Sequence, residues 1–153
     1  MENKLTVDRA KAIEAYQLAT PDQQRVLDGI FGRDAFQPSW QEDLFSACYK
    51  LGISYGDSLP YLTPNNKDQE VLNAYAALRI LAKLARGDWE PDWNNPDEAK
   101  HAPFFTAYGG VRAVCTDTCY HSPAIGALYF PKSSMAINFG RKYLDLYKII
   151  LTN

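Results

Sequence analysis

Histidine and cysteine are scarce in this chain, with two of the first and three of the second among 153 residues. That leaves few groups from which to assemble a metal centre or a nucleophile with its base. Long apolar runs are also missing. The most apolar stretch, Ile149-Ile150-Leu151, falls far short of the ~20 residues that a membrane-spanning helix needs, so no membrane association is expected. No glycine-rich phosphate loop occurs: Gly109-Gly110 reads as a two-residue turn, without the flanking pattern of either nucleotide-binding fingerprint. Neither sign of charge dominates, with 16 Lys and Arg against 18 Asp and Glu and a net charge of -2. Such a chain has no overall cationic field to draw in a polyanion, so nucleic acid is not expected as a partner. The opening residues Met1-Glu2-Asn3-Lys4-Leu5-Thr6 lack the apolar core of a signal peptide. An odd number of cysteines in a chain large enough to stand on its own core fits a reducing compartment, so a cytoplasmic location is expected.

What is present is globular material: 46% hydrophobic residues, 22% charged, and 10 Tyr, 7 Phe and 3 Trp. The length suits one core, and charge divides evenly along the chain, so residues 1–153 are expected to form a single domain. The first 87 residues read as helices with their ends written in. Thr20-Pro21-Asp22-Gln23 offers an N-cap hydroxyl, a proline at the first helical position and a Gln that completes a capping box. Val26, Leu27, Ile30 and Phe31 follow as an apolar stripe, and Gly32 supplies the stop. Ser39-Trp40-Gln41-Glu42 repeats the pattern, with Leu44, Phe45, Cys48 and Leu51 as the stripe and Gly52 as the stop. An earlier helix, capped by Thr6, would carry Ala12, Ile13 and Tyr16 inward. Residues 53–66, rich in Gly, Pro, Ser and Asn, read as a loop. The longest helix is predicted from about Lys67 to Arg86, with Val71, Tyr75, Leu78, Ala82 and Ala85 on its inner face and Gly87 closing it.

After Gly87 comes an acidic, proline-containing loop, 88–98, and then β-prone runs at 104–108, 111–115 and 127–130. These predict an antiparallel β-meander. Ser133 or Ser134 would cap one closing helix whose Phe139, Tyr143, Leu146 and Ile150 cover a side of the sheet. The expected fold class is α+β: about four N-terminal helices, a small antiparallel meander, and a C-terminal helix packed on it.

Chemistry, if any, would gather at Cys115, Cys119 and His121, since thiolate and imidazole are the usual ligands of zinc. On one straight strand the two cysteines would lie ~13 Å apart, too far to share an ion or a disulfide. If Thr116-Asp117-Thr118 is a hairpin turn, they oppose each other, and His101 or Cys48 would supply the fourth ligand. Cys119 with a histidine and Asp117 also has the composition of a thiol hydrolase, without a helix N-terminus or elbow to activate the sulfur. Asp88, Asp92, Asn94 and Asp97 could collect calcium, but their spacing matches no EF-hand, and Trp89 and Trp93 pinning the loop to the core is the simpler reading.

The run Trp89-Glu90-Pro91-Asp92-Trp93-Asn94 after a long helix, the stretch Gly126-Ala127-Leu128-Tyr129-Phe130, and the close from Phe139 to Lys148 resemble a family of short uncharacterised proteins from gut bacteroidete bacteria and their phages and mobile elements. The Ala-rich N-terminal helix and the segment ending Ile30-Phe31-Gly32 are similar too. The resemblance implies a phage or mobile-element setting inside a bacterial host cell and carries no catalytic residues. Because no complete catalytic constellation can be assembled, the expectation is a non-enzymatic binding protein without a cofactor. Trp89, Trp93, Tyr108, Arg112 and Tyr120 would face a protein or small-molecule partner. The alternatives are a zinc-binding or thiol-dependent enzyme centred on Cys115, Cys119 and His121, and a virion or assembly component.

Overall fold

In the computed structural model the helices that start at Pro21 and Trp40 begin where the capping patterns place them. The structure describes residues 8–36, 39–106, 112–120 and 128–152, and the chain divides into two compact units, 1–42 and 43–153.

The smaller unit holds α1 (Arg9–Leu18), α2 (Pro21–Phe31), a 3-10 turn at Arg33–Phe36 and the start of α3 (Trp40–Leu51). The expected cap of α1, Thr6, lies outside the described residues, and Asp8 accepts from the Lys11 N–H. At α2 the capping box is complete: the Thr20 hydroxyl accepts from the Gln23 N–H, and the Gln23 side chain accepts from the Thr20 N–H at 2.9 Å. At α3, Ser39 and Glu42 bond reciprocally in the same way, and these bonds hold the Glu42 carboxyl below its usual range. The two helices are joined through Tyr16, which stacks on Phe36 at 4.8 Å and donates to Asp28 at 2.8 Å. The predicted inner stripe of α2 is largely outward. Val26, Ile30 and Phe31 are each more than half exposed, as is Leu18 at the end of α1. Two helices of 10 and 11 residues have too little partner surface to cover a full apolar stripe, so periodicity found the helix but not its burial.

In the larger unit α3 continues, and α4 (Lys67–Arg86) forms the spine. Asn66 caps α4 by accepting from the Gln69 N–H, and Gly87 ends it at φ 64° and ψ -135°, a conformation closed to residues with a Cβ. Its buried face is Ala74, Ala77, Leu78, Leu81 and Ala82, together with Asn73; of the predicted line, Leu78 and Ala82 are buried, Val71 and Tyr75 are partly covered, and Ala85 is exposed. Asn73 replaces an apolar residue for a reason: its amide pairs with both the N–H and the carbonyl of Tyr61, at 3.0 and 2.7 Å, which ties the 53–66 loop to the helix.

Among the described residues the sheet has two antiparallel strands, β1 (Lys100–Thr106) and β2 (Arg112–Cys119), with a register shift between Phe104 and Phe105. The expected third strand is reduced to one bridge, in which His101 and Phe130 exchange N–H···O bonds at 3.0 and 2.8 Å. The reason lies two residues along. His101 directs both backbone groups at Phe130, so Pro103 faces the same edge and has no N–H to continue the ladder. The predicted turn at Gly109-Gly110 lies outside the described residues.

The single closing helix is two: α5 (Ser133–Lys142) and α6 (Leu144–Leu151). Lys132 takes the cap position, so neither Ser133 nor Ser134 does. The halves serve different partners, α5 lying on both strands and α6 on α4, and the backbone breaks at Tyr143 between them. Phe139, Tyr143 and Leu146 are buried as expected. The architecture is α+β, with six helices and a small antiparallel sheet among the described residues. Among the described residues no helix is long and apolar enough to cross a membrane.

Candidate functional site

The residues expected to meet a partner are scattered in kind. Trp93 is structural packing: its ring meets Tyr129 edge-on at 5.1 Å and lies 5.3 Å beneath the Lys100 ammonium. Trp89 is half-buried beside it in sequence, its N–H bonded to the Arg86 carbonyl. Tyr120, just beyond β2, is exposed. Arg112 sits in β2 opposite Thr106, and its side chain, like Tyr108, lies outside the described residues.

For the thiol group the backbone adopts the extended alternative. Thr116-Asp117-Thr118 is not a turn but part of β2, so Cys115 and Cys119 occupy one strand four positions apart, a span of ~13 Å. Cys119 pairs with Lys100 while His101 pairs with Thr118, whose hydroxyl lies 3.1 Å from the imidazole Nδ1. Neighbours along a strand project to opposite faces, which separates His101 from Cys119. Cys48 is buried in α3, and His121 lies outside the described residues. Among the described residues no three His, Cys, Asp or Glu side chains are placed to hold an ion.

The acidic loop is organised around a cation of its own. Lys100, the largest fully buried side chain, donates to the carbonyls of Glu98 at 2.8 Å and Asn95 at 3.3 Å. Asp92 and Asn95 spend side-chain oxygens on the backbone N–H groups of Asn94 and Asp97. These are loop-forming contacts of the kind Asx residues make in turns.

A different surface has the makings of a binding site. The C-terminal half of α4 presents Arg79, Lys83 and Arg86 to a cleft of about 440 Å³, within the ~300–1,000 Å³ range of small-molecule pockets. Spacing of four and three residues puts these cations on one helix face, over ~10 Å of axis. Opposite and beside them Ile53, Ala76, Ile80 and Leu128 make an apolar wall. Ser58 lines the cleft with its hydroxyl donating to the Tyr55 carbonyl at 2.7 Å, so its oxygen retains only acceptor capacity. Among the described residues one acid is present: Glu90, both of whose oxygens lie against the Arg86 Nη2, at 2.9 and 3.1 Å. The Arg86 Nη1 reaches the Tyr129 carbonyl at 3.5 Å, and its buried Nε finds no acceptor among the described residues. Arg79 and Lys83 have no ion-pair partner among the described residues. The cleft is therefore cationic by two charges in a chain that is acidic overall.

Reading the sequence for motifs missed this group, because Lys83 and Arg86 look like ordinary complements to the negative end of a helix. The signal was the 79, 83, 86 spacing. No protein-family model matches the chain, and no match was found among curated proteins or solved structures.

Proposed function

We propose that this chain is a non-enzymatic binding protein of a phage or mobile genetic element, and that its ligand site is the cationic cleft on α4. The observation that carries the reading is the pairing of Arg79 and Lys83, which lack a counter-ion among the described residues, with an apolar wall in one concavity. Positive charge alone would be a solvated helix face, and an apolar wall alone would be a packing defect. Together they suit a small anion with an organic body, held by charge at one side and by burial at the other. Among the described residues, the groups lining the cleft include no thiol or imidazole, and the one hydroxyl is engaged. That supports retention of a ligand rather than its conversion.

The test is calorimetric titration with small carboxylates and phosphates. Binding should weaken as salt rises, and Arg79→Glu combined with Lys83→Glu should reduce affinity by about tenfold or more. Both side chains are solvent-facing, so the circular dichroism spectrum should not change. Full retention of affinity in the double variant would defeat the reading.

A second reading, a self-associating assembly component, is supported by the smaller unit. There Leu18, Val26, Ile30 and Phe31 remain more than half exposed, an apolar stripe of the kind a second copy would cover. Size-exclusion chromatography with light scattering should then show an oligomer that Val26→Asp with Ile30→Asp converts to monomer. A wild-type chain that is monomeric at all concentrations rules this reading out.

A further inference from the structure

Resting on the reading of the cleft as a ligand site, we infer that the ligand is an organic phosphate monoester and that Glu90 is an internal stand-in for its phosphate, displaced from Arg86 on binding.

Three features of the cleft point to this. The first is the state of Arg86. Its side chain is mostly buried, whereas Glu90 is mostly exposed and sits on the loop that follows α4. Glu90 contacts a single guanidinium nitrogen with both oxygens and leaves the buried Nε–H unanswered among the described residues. A tetrahedral phosphate placed at the same edge can accept from Nε and Nη2 together, the paired geometry in which guanidinium binds oxyanions most strongly. An unsatisfied buried donor is costly, so a ligand that answers it gains what the carboxylate does not.

The second is charge. With Glu90 in place one cation of three is neutralised and Arg79 and Lys83 are left over. A monoanionic carboxylate would answer only part of that excess. A phosphate monoester carries close to two negative charges at neutral pH, and its oxygens can address more than one of the cations spread along the helix face.

The third is the remainder of the surface. Ile53, Ala76, Ile80 and Leu128 offer nothing to inorganic phosphate but bury an apolar ester group. The Ser58 oxygen, with its proton committed to Tyr55, takes a hydroxyl or N–H from that group and repels a second anion. The site therefore selects one charged end and one largely uncharged body.

Three probes distinguish the components: phenyl phosphate, benzoate and inorganic phosphate, each titrated calorimetrically into the full chain and into Glu90→Gln. Phenyl phosphate should bind wild type about tenfold tighter than either other probe, and Glu90→Gln should tighten it about fivefold or more while changing benzoate less. The selectivity in wild type needs no variant, so it stands even if Glu90→Gln folds poorly. Equal affinity for benzoate and phenyl phosphate overturns the phosphate assignment, equal affinity for inorganic phosphate overturns the ester, and an unchanged or weakened Glu90→Gln overturns the stand-in role. Each of those outcomes leaves the cleft as an anion site. If no probe binds either protein at millimolar concentration, the reading of the cleft as a ligand site falls with the inference.

Discussion

Replacing Lys100 by alanine should destabilise the larger unit by about 3–5 kcal/mol, the sum of a truncated buried side chain and the lost ammonium bonds to the Glu98 and Asn95 carbonyls, of which Asn95 keeps the Glu98 N–H. The side chain is fully buried, and its ammonium is held by the Glu98 and Asn95 carbonyls and by the face of Trp93. A buried cation with no carboxylate partner among the described residues is tolerable because these groups stand in for water. Lys100→Met separates the two contributions. It keeps the stem that packs in the interior and removes only the ammonium, so it should cost about 1–3 kcal/mol. Urea unfolding followed by tryptophan fluorescence reads both, since Trp89 and Trp93 lie in the loop that Lys100 anchors. An alanine variant within about 1 kcal/mol of wild type would show that the loop holds itself together through its Asx turns.

Gly140→Ala should destabilise by about 1–3 kcal/mol, although alanine is the better helix former, and Gly140→Val by more. A Cβ at this position would lie 2.8 Å from the Pro103 Cβ and 3.3 Å from the tip of the Phe105 ring. Neither neighbour can retreat easily. Proline is rigid and sits within β1, and the Phe105 ring is itself packed at 4.4 Å against Tyr147. Gly140 is thus where α5 comes down onto the strand. Gly29, within α2, is the control: a Cβ there meets nothing within 4 Å, so Gly29→Ala should raise stability by about 0.5–1 kcal/mol. Thermal unfolding of the two alanine variants should move in opposite directions. A gain at both positions would mean that α5 slides to accept the methyl group.

Local chemistry was legible in the sequence, and burial was less so. The starts of α2 and α3 were written in Thr20 and Gln23, and in Ser39 and Glu42, because a cap is satisfied by residues three apart. The inner face of α4 was legible in part: Leu78 and Ala82 are buried, while Ala85 is exposed and Asn73 is buried in its stead. Asn73 looks like a surface residue until its partner, the Tyr61 backbone, is known. Lys100 and His101 were given no element between the acidic loop and the first β-prone run, whereas they open β1; side-chain type argues against a buried lysine, and the carbonyls of Glu98 and Asn95 in the loop just before it make it acceptable. The cationic face of α4 could be found from spacing alone. Its concavity could not, because Ile53 and Leu128 reach it from segments well removed in the chain.

Pro103 also bears on how the protein behaves among its own copies. Beyond the bridge at His101, this side of β1 has no further strand partner among the described residues and presents an imide nitrogen where an incoming strand would look for a donor. Segments such as Phe104-Phe105-Thr106 have the composition that feeds cross-β growth. A strand docking along this rim would lose a hydrogen bond at Pro103, which works against the aromatic strand serving as a template for fibrils.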